Sequence, residues 1–236
     1  MTANLLLAHL PAAELRRVLA VSAQVLTRSG EYLATQDLPM RALLFPLQGF
    51  AVLVTPMQGR APLQVAMVGR EGVLGAQLLL GVAASPTSVL VLEPGQAWAL
   101  SATALRAVLP ASPALRRLLL RYLQVQLRQS ATAAACLHAH ALRARLARWL
   151  LMGQDRAEGD GFAVTHETLA RLLGARREGV TLAAGELQAA GLIHYHRGWV
   201  NIGDTAGLQA MSCDCHAQDA ASYRLGMGFA PGPAVH

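Results

Sequence analysis

Three textures of apolar and polar positions follow one another along the chain. Residues 4–22 carry Leu6, Leu10, Leu15, Val18 and Leu19 at helical spacing, with Arg16 and Arg17 on the other side. From about 24 to 100, short β-rich runs take over: Val25–Leu26, Leu43–Phe45, Ala51–Thr55, Leu63–Val68, Val89–Leu92 and Ala97–Ala99. Gly and Pro punctuate them at close intervals, which predicts a small antiparallel barrel or roll, with Pro56-Met57-Gln58-Gly59 at a hairpin tip. Beyond 112 the spacing becomes helical again. Ser112 and Pro113 suit the N-cap and first position of a long helix free of Gly and Pro to about Leu137.

One stripe of that helix runs Leu115, Leu118, Tyr122, Val125, Gln129, Thr132 and Cys136, in alternating steps of 3 and 4. This is coiled-coil spacing, and it predicts a homodimer seam. A second helix from Ala141 to Gly153 packs Leu142, Leu146, Trp149 and Leu150 on one face, and GQDRAEGDG (153–161) reads as a linker. The expected organisation is a β-roll at 1–111, a dimerisation helix at 112–138, a further module at 139–212, and a loosely ordered tail at 213–236.

The module's signature is Val164 to Ile202, a short helix, a turn at Gly174, a second helix, and a strand-turn-strand around Arg197-Gly198. That order is a winged helix-turn-helix, which lays its second helix in the major groove of double-stranded DNA. Thr165 suits the N-cap of the first helix, and His166 follows it. Arg176, Arg177, Glu178 and Thr181 lie on the outer side of the second helix near its start, while Val180, Ala183, Ala184 and Leu187 face inward. Arginine can pair with guanine and glutamate can accept from cytosine. Arg197 and His196 on the wing suit phosphate.

Composition supports a polyanionic partner. The net charge is +6, and all 20 basic residues are arginine. Between Glu93 and Asp155 there is no acidic residue but there are eight arginines, Arg106, Arg116, Arg117, Arg121, Arg128, Arg143, Arg145 and Arg148. Base-composition bias accounts for arginine over lysine, so the placement is the more informative feature. Three cysteines do not make a secreted disulfide framework. The apolar run at the N-terminus is too short to span a membrane and lacks a basic leader, so a cytoplasmic location without membrane partners is expected. No catalytic triad, P-loop or paired carboxylates stand out, and no enzyme activity is expected.

A β-roll, a long helix and a C-terminal winged helix-turn-helix, in that order over residues 5–212, resemble the Crp/Fnr family of bacterial transcription regulators. The resemblance implies an α+β fold with a jelly-roll-like, cyclic-nucleotide-binding-like sensor, a homodimer on a near-palindromic operator, and contact with RNA polymerase. Arg177 and Glu178 match the family's base-reading Arg-Glu pair. Its third reading position falls on Leu182, which cannot hydrogen-bond but can touch a thymine methyl. The family's nucleotide cassette has a Gly-Glu pair and an Arg-Ser pair. Here Gly75 stays, Ala76 replaces the Glu, Pro86-Thr87 stands near the Arg-Ser, and the purine-facing hydroxyl maps to Ser130. Proline cannot neutralise a phosphate, so cAMP is not the expected effector. No cysteine precedes Cys136, which argues against the family's N-terminal iron-sulfur cluster.

Cys213-Asp214-Cys215-His216 is the most metal-like cluster, since thiolate and imidazole suit zinc or copper(I). Taken alone it offers too few well-spaced ligands, and His138 and His140 read as hinge residues, so no cofactor is expected. Two alternatives remain open: a DNA-binding metal or thiol sensor using Cys213, Cys215 and His216, and a ligand-binding module whose helix-turn-helix serves protein contacts.

Overall fold

The computed structural model describes residues 4–231. Two short helices, α1 (Leu5–Ala8) and α2 (Ala12–Leu19), flank Pro11, which divides the helix expected over 4–22. Seven strands follow: β1 (Ala23–Thr27), β2 (Tyr32–Ala34), β3 (Ala42–Pro46), β4 (Phe50–Met57), β5 (Arg60–Val68), β6 (Ser88–Glu93) and β7 (Gly95–Ser101). They form two antiparallel sheets, in orders β2-β6-β4-β5 and β1-β7-β3. Each expected β run lies within one of them, and the β4–β5 hairpin turns at Gly59, whose φ is +67°. Ala34, Ala51, Val68 and Val89 from the larger sheet pack with Leu44 of β3 and with Leu74, filling the roll interior with side chains.

Helix α3 (Ala102–Val108) leads to α4 (Pro113–Ala139). Ser112 occupies the N-cap of α4, but its side chain makes no capping bond. The orphan amides of the first turn are served instead from α2, where the Glu14 carboxylate accepts from Ala114 N at 3.3 Å and Leu115 N at 3.1 Å. The helix therefore starts where the N-terminal segment docks.

The winged helix-turn-helix module comprises α5 (Leu142–Gln154), β8 (Gly161–Ala163), α6 (His166–Leu173), α7 (Arg177–Ala189), β9 (Ile193–His196), β10 (Trp199–Ile202) and α8 (Thr205–Met211). Its sheet has the order β8-β10-β9, so the wing gains a third strand from the stretch just before α6. The residues read as a linker, 153–161, are anchored at both ends and at Ala157, while Asp155 and residues 158–160 stay exposed. Ala157 is buried, and a Cβ at Gly153 would stand 2.5 Å from Phe162 Cζ. The module docks on the roll through one shared core in which Phe50, Val52 and Met67 meet Trp149, Phe162 and Leu172. Trp149 Nε1 donates to Gln64 Oε1 at 2.7 Å, and Arg156 pairs with Glu71 at 2.8 Å.

The tail corrects the expectation of loose order. A ninth helix, α9 (Cys215–Met227), runs against α4 so closely that a Cβ at Gly226 would lie 2.6 Å from Val125 Cγ2. Tyr223 is buried with Tyr122 and Val125, and its hydroxyl donates to Glu71 O at 2.6 Å. Tyr223 supplies its apolar area at a single position, which leaves no periodic pattern in the sequence of the tail. Residues 232–236 lie outside the described residues.

The packing corrects the dimer seam as well. Leu115, Leu118, Tyr122, Val125, Gln129 and Cys136 are buried within the single chain, and Thr132 is half-buried. Most of this face of α4 is covered by the roll and α9. A different stripe with the same alternating spacing is more open: Leu120, Leu127, Ala134 and Leu137 are exposed, and Leu123 and Ser130 between them are half-buried. Leu127 is 67% exposed and Leu120 46%.

Glu93, at the end of β6, reaches the segment between α5 and β8, accepting from Glu158 N at 3.4 Å. Burial pushes its carboxyl from the ordinary 4.5 up to about 7, with the Glu158 charge adding to the shift. A carboxyl raised in the folded state contributes stability that is present below about pH 4.5 and lost as pH rises through about 7. Glu93→Gln should therefore melt with wild type in acid and above it at slightly alkaline pH. Thermal melts across that window check this, and parallel curves for the two proteins would refute it.

Candidate functional site

The helix-turn-helix is fixed by local chemistry. Thr165 caps α6, its Oγ1 accepting from Thr168 N at 3.1 Å. Gly174 ends the helix in the left-handed conformation at φ +60°, which a glycine adopts without Cβ strain. Helix α7 starts at Arg177 after Arg176 at the N-cap, and it buries Val180, Ala183, Ala184 and Leu187. Its opposite face presents Arg177, Glu178, Thr181 and Leu182 to solvent, with Leu182 68% exposed. None of Arg176, Arg177 or Glu178 is held in an ion pair among the described residues. Their donors and acceptors are open to an external partner.

The wing turns at Arg197-Gly198 with φ +48° and +81°, the two positive values of a tight hairpin that matches strand twist. Trp199 pairs with His196 across it, placing the exposed Arg197 at the tip. His166 is placed differently from its neighbours in the expected contact set. It is half-buried, stacks on Tyr195 at 4.3 Å, and meets Thr181 Oγ1 through Nδ1 at 3.0 Å. Burial, then the Arg177 charge, lowers its pKa. It stays neutral near pH 7 and braces α6, α7 and the wing against one another.

The residues matching the family's nucleotide cassette differ in their exposure and offer no charged side chain. Gly75 is left-handed at φ +86°, Ala76 is buried, Pro86 is exposed and Thr87 half-buried. Ser130 lies elsewhere, on the wall of a cavity of about 210 Å³ between β5, α4 and α5 that none of those four lines.

The expectation that no cofactor site exists is overturned at the hinge. Cys136, His140, Cys213 and Cys215 bring their ligand atoms within 4.8 Å of one another. Cys136 Sγ and Cys213 Sγ are 3.5 Å apart, and Cys215 Sγ lies 3.7 Å from His140 Nδ1. The three thiols are buried and free of disulfides. His140 Nε2 faces Asp214 Oδ1 at 3.9 Å, an outer carboxylate of the kind that orients a metal-binding imidazole. Burial raises the Cys136 and Cys215 thiols, and the neighbouring thiols raise Cys215 further. In the absence of a cation they are neutral.

Of the sequence candidates, Cys213 and Cys215 belong to this cluster and His216 does not. His216 Nε2 is bound at 2.7 Å to Asp155. Cys136 and His140 were missed as ligands, although four residues apart they sit one helical turn along α4. What the spacing could not show is that α9 returns the second pair of thiols to that turn.

A family model for the Crp-like helix-turn-helix domain matches residues 144–211. A search of curated proteins found no match. Solved structures match over most of this chain and over nearly all of their own length. FixK2 from Bradyrhizobium japonicum is 16% identical at a TM-score of 0.69, with 82% of this chain and 98% of that one covered. The c-di-GMP-responsive global regulator CLP of Xanthomonas campestris is 20% identical at 0.65, covering 81% and 99%. A transcriptional regulator of the CRP family from Thermus thermophilus, TTHB099, is 21% identical at 0.63, covering 88% and 98%. At such identities the likeness to solved structures carries the fold. No helix among the described residues is long and apolar enough to cross a membrane.

Proposed function

We propose that this chain, which has the Crp/Fnr regulator fold and carries a Crp-like helix-turn-helix domain, is a homodimeric, sequence-specific DNA-binding regulator that senses metal or thiol state at its hinge. The fold is that of transcription regulators, which have no catalytic machinery. The observation that carries the sensing half is the convergence of Cys136, His140, Cys213 and Cys215 where α4 gives way to α5.

DNA reading is assigned to the exposed start of α7. Arg177 pairs with a guanine, Glu178 accepts from a cytosine, and Leu182 covers a thymine methyl. Arg176, Thr181, Thr165 and Arg197 contact the backbone, while His166 positions Thr181. Against cAMP as the signal, Ala76 and Pro86 offer no charge to a cyclic phosphate, and the roll interior is filled by side chains. RNA polymerase is the further partner of such a regulator.

Self-association is assigned to the open stripe of α4, Leu120, Leu123, Leu127, Ser130, Ala134 and Leu137, as a coiled-coil seam. Two modules so held present α7 and its mate about one DNA turn apart, roughly 34–36 Å. Leu127→Glu tests this, because a charge in the seam is left unpaired on association. Sedimentation should show a monomer with the wild-type circular dichroism spectrum. Operator affinity should fall by about 10²–10⁴-fold as the second half-site is lost. A variant that stays dimeric refutes the seam.

A further inference from the structure

We infer that Cys136, His140, Cys213 and Cys215 form a closed tetrahedral zinc site that clasps the DNA module to the dimer helix and thereby sets DNA affinity. This deepens, and rests on, the reading of the hinge cluster as a sensor.

The donor set selects the ion. Three thiols and one imidazole make a four-ligand Cys₃His set, which suits structural Zn²⁺. Zinc–sulfur bonds of about 2.3 Å and zinc–nitrogen bonds of about 2.0–2.1 Å give tetrahedral edges of roughly 3.5–3.8 Å. Two observed edges, 3.5 Å between Cys136 Sγ and Cys213 Sγ and 3.7 Å from Cys215 Sγ to His140 Nδ1, are close to that range, and all four ligand atoms lie within 4.8 Å of one another. Oxygen-preferring Mg²⁺ and Ca²⁺ find no carboxylate among the four ligands. Asp214 stands behind the imidazole, at its other nitrogen.

Binding balances as proton exchange without redox chemistry. Zn²⁺ displaces one proton from each of the three thiols while His140 binds neutral through Nδ1, and the filled site carries a single negative charge. Arg148, whose charge acts on Cys136 and Cys215, faces that charge from α5. Its guanidinium is itself anchored by Asp219 of α9. The single negative charge of the filled site thus faces an arginine of α5 that is already paired with Asp219.

The position gives the clasp its consequence. Cys136 and His140 are at the C-terminal end of α4, and His140 and Ala141 are extended where the helix breaks. Cys213 lies just past α8, the last helix of the DNA module, and Cys215 opens α9. Bonds from one zinc to both pairs close the hinge across 77 residues of chain separation. The angle between α4 and α7 is then fixed in both protomers. A dimer whose two reading helices are held in place loses less freedom on a palindrome than one whose modules swing.

The test uses the full-length chain purified without chelating resin. Elemental analysis should find about one zinc per chain, and Co²⁺ exchanged into the site should show thiolate charge-transfer absorption. Cys213→Ser and His140→Ala should lose metal, whereas His216→Ala, outside the cluster, should keep it. Chelator-stripped protein should exchange amide hydrogens faster at 136–142 and in α9. It should bind operator on the order of 5–150-fold more weakly than reloaded protein, the range of ordinary coupling between sites. Zinc bound with unchanged DNA affinity would overturn the regulatory clasp and leave a structural ion. No zinc, but DNA affinity that responds to a thiol oxidant, would overturn the metal while sparing the sensor reading. If neither zinc nor oxidant acts, both fall.

Discussion

Arg156→Ala should destabilise the protein by about 3–5 kcal/mol, the loss typical of a buried ion pair deprived of one partner. Arg156 Nε meets Glu71 Oε1 at 2.8 Å with both side chains less than one-tenth exposed, and Nη1 donates to Met152 O at 2.8 Å. Without the guanidinium, Glu71 keeps only the Gly69 amide, which is 3.1 Å from one carboxylate oxygen and 3.2 Å from the other. A buried carboxylate in that state must either protonate or open the packing between the roll and the DNA module. Urea unfolding measures the loss. The double variant Arg156→Met with Glu71→Leu should recover much of it, because neither side then buries an unpaired charge. A single-variant loss below about 1 kcal/mol, within the range of exposed pairs, would show that the two domains are not held together here.

Arg177→Ala should cost about 1–3 kcal/mol of discrimination at one base pair in each half-site, with little change on random DNA. Arg177 opens α7 on its exposed side and has no acidic partner among the described residues, so its donors are uncommitted. Glu178→Ala should relax a neighbouring position in the same way. Arg197→Ala at the wing tip should instead weaken all sequences alike and flatten the salt dependence. Titrations on operator and scrambled duplexes at two salt concentrations separate the outcomes. Equal losses on both duplexes for Arg177→Ala would remove it from base reading.

Local signals were legible in the sequence wherever one element decides its own geometry. Thr165 caps α6, Gly174 turns the chain, and Arg197-Gly198 makes the wing, each as residue chemistry requires. Long-range packing was not legible, and α4 shows why. It carries two apolar stripes of identical spacing, and only the cover supplied by α9 and the roll decides which is left for a partner. The alternating spacing of Leu115 to Cys136 fits a partner seam and a face buried within the chain equally well. Glu14 capping a helix 100 residues away and Arg156 crossing from a supposed linker are further contacts with no signal in local spacing. The metal cluster belongs to the same class. Cys136-x-x-x-His140 and Cys213-x-Cys215 are each half a site, and their union depends on a tail that lacks an amphipathic period.

The most direct test is selection of bound duplexes from a random pool by the zinc-loaded wild-type dimer, sequenced over successive rounds. The expected result is one near-palindromic motif with half-sites about 10–10.5 base pairs apart, centre to centre, and an invariant G·C pair in each half that weakens when Arg177 is replaced. Enrichment of no motif, with binding that only follows total charge, would contradict a sequence-specific regulator and return the helix-turn-helix to protein contacts.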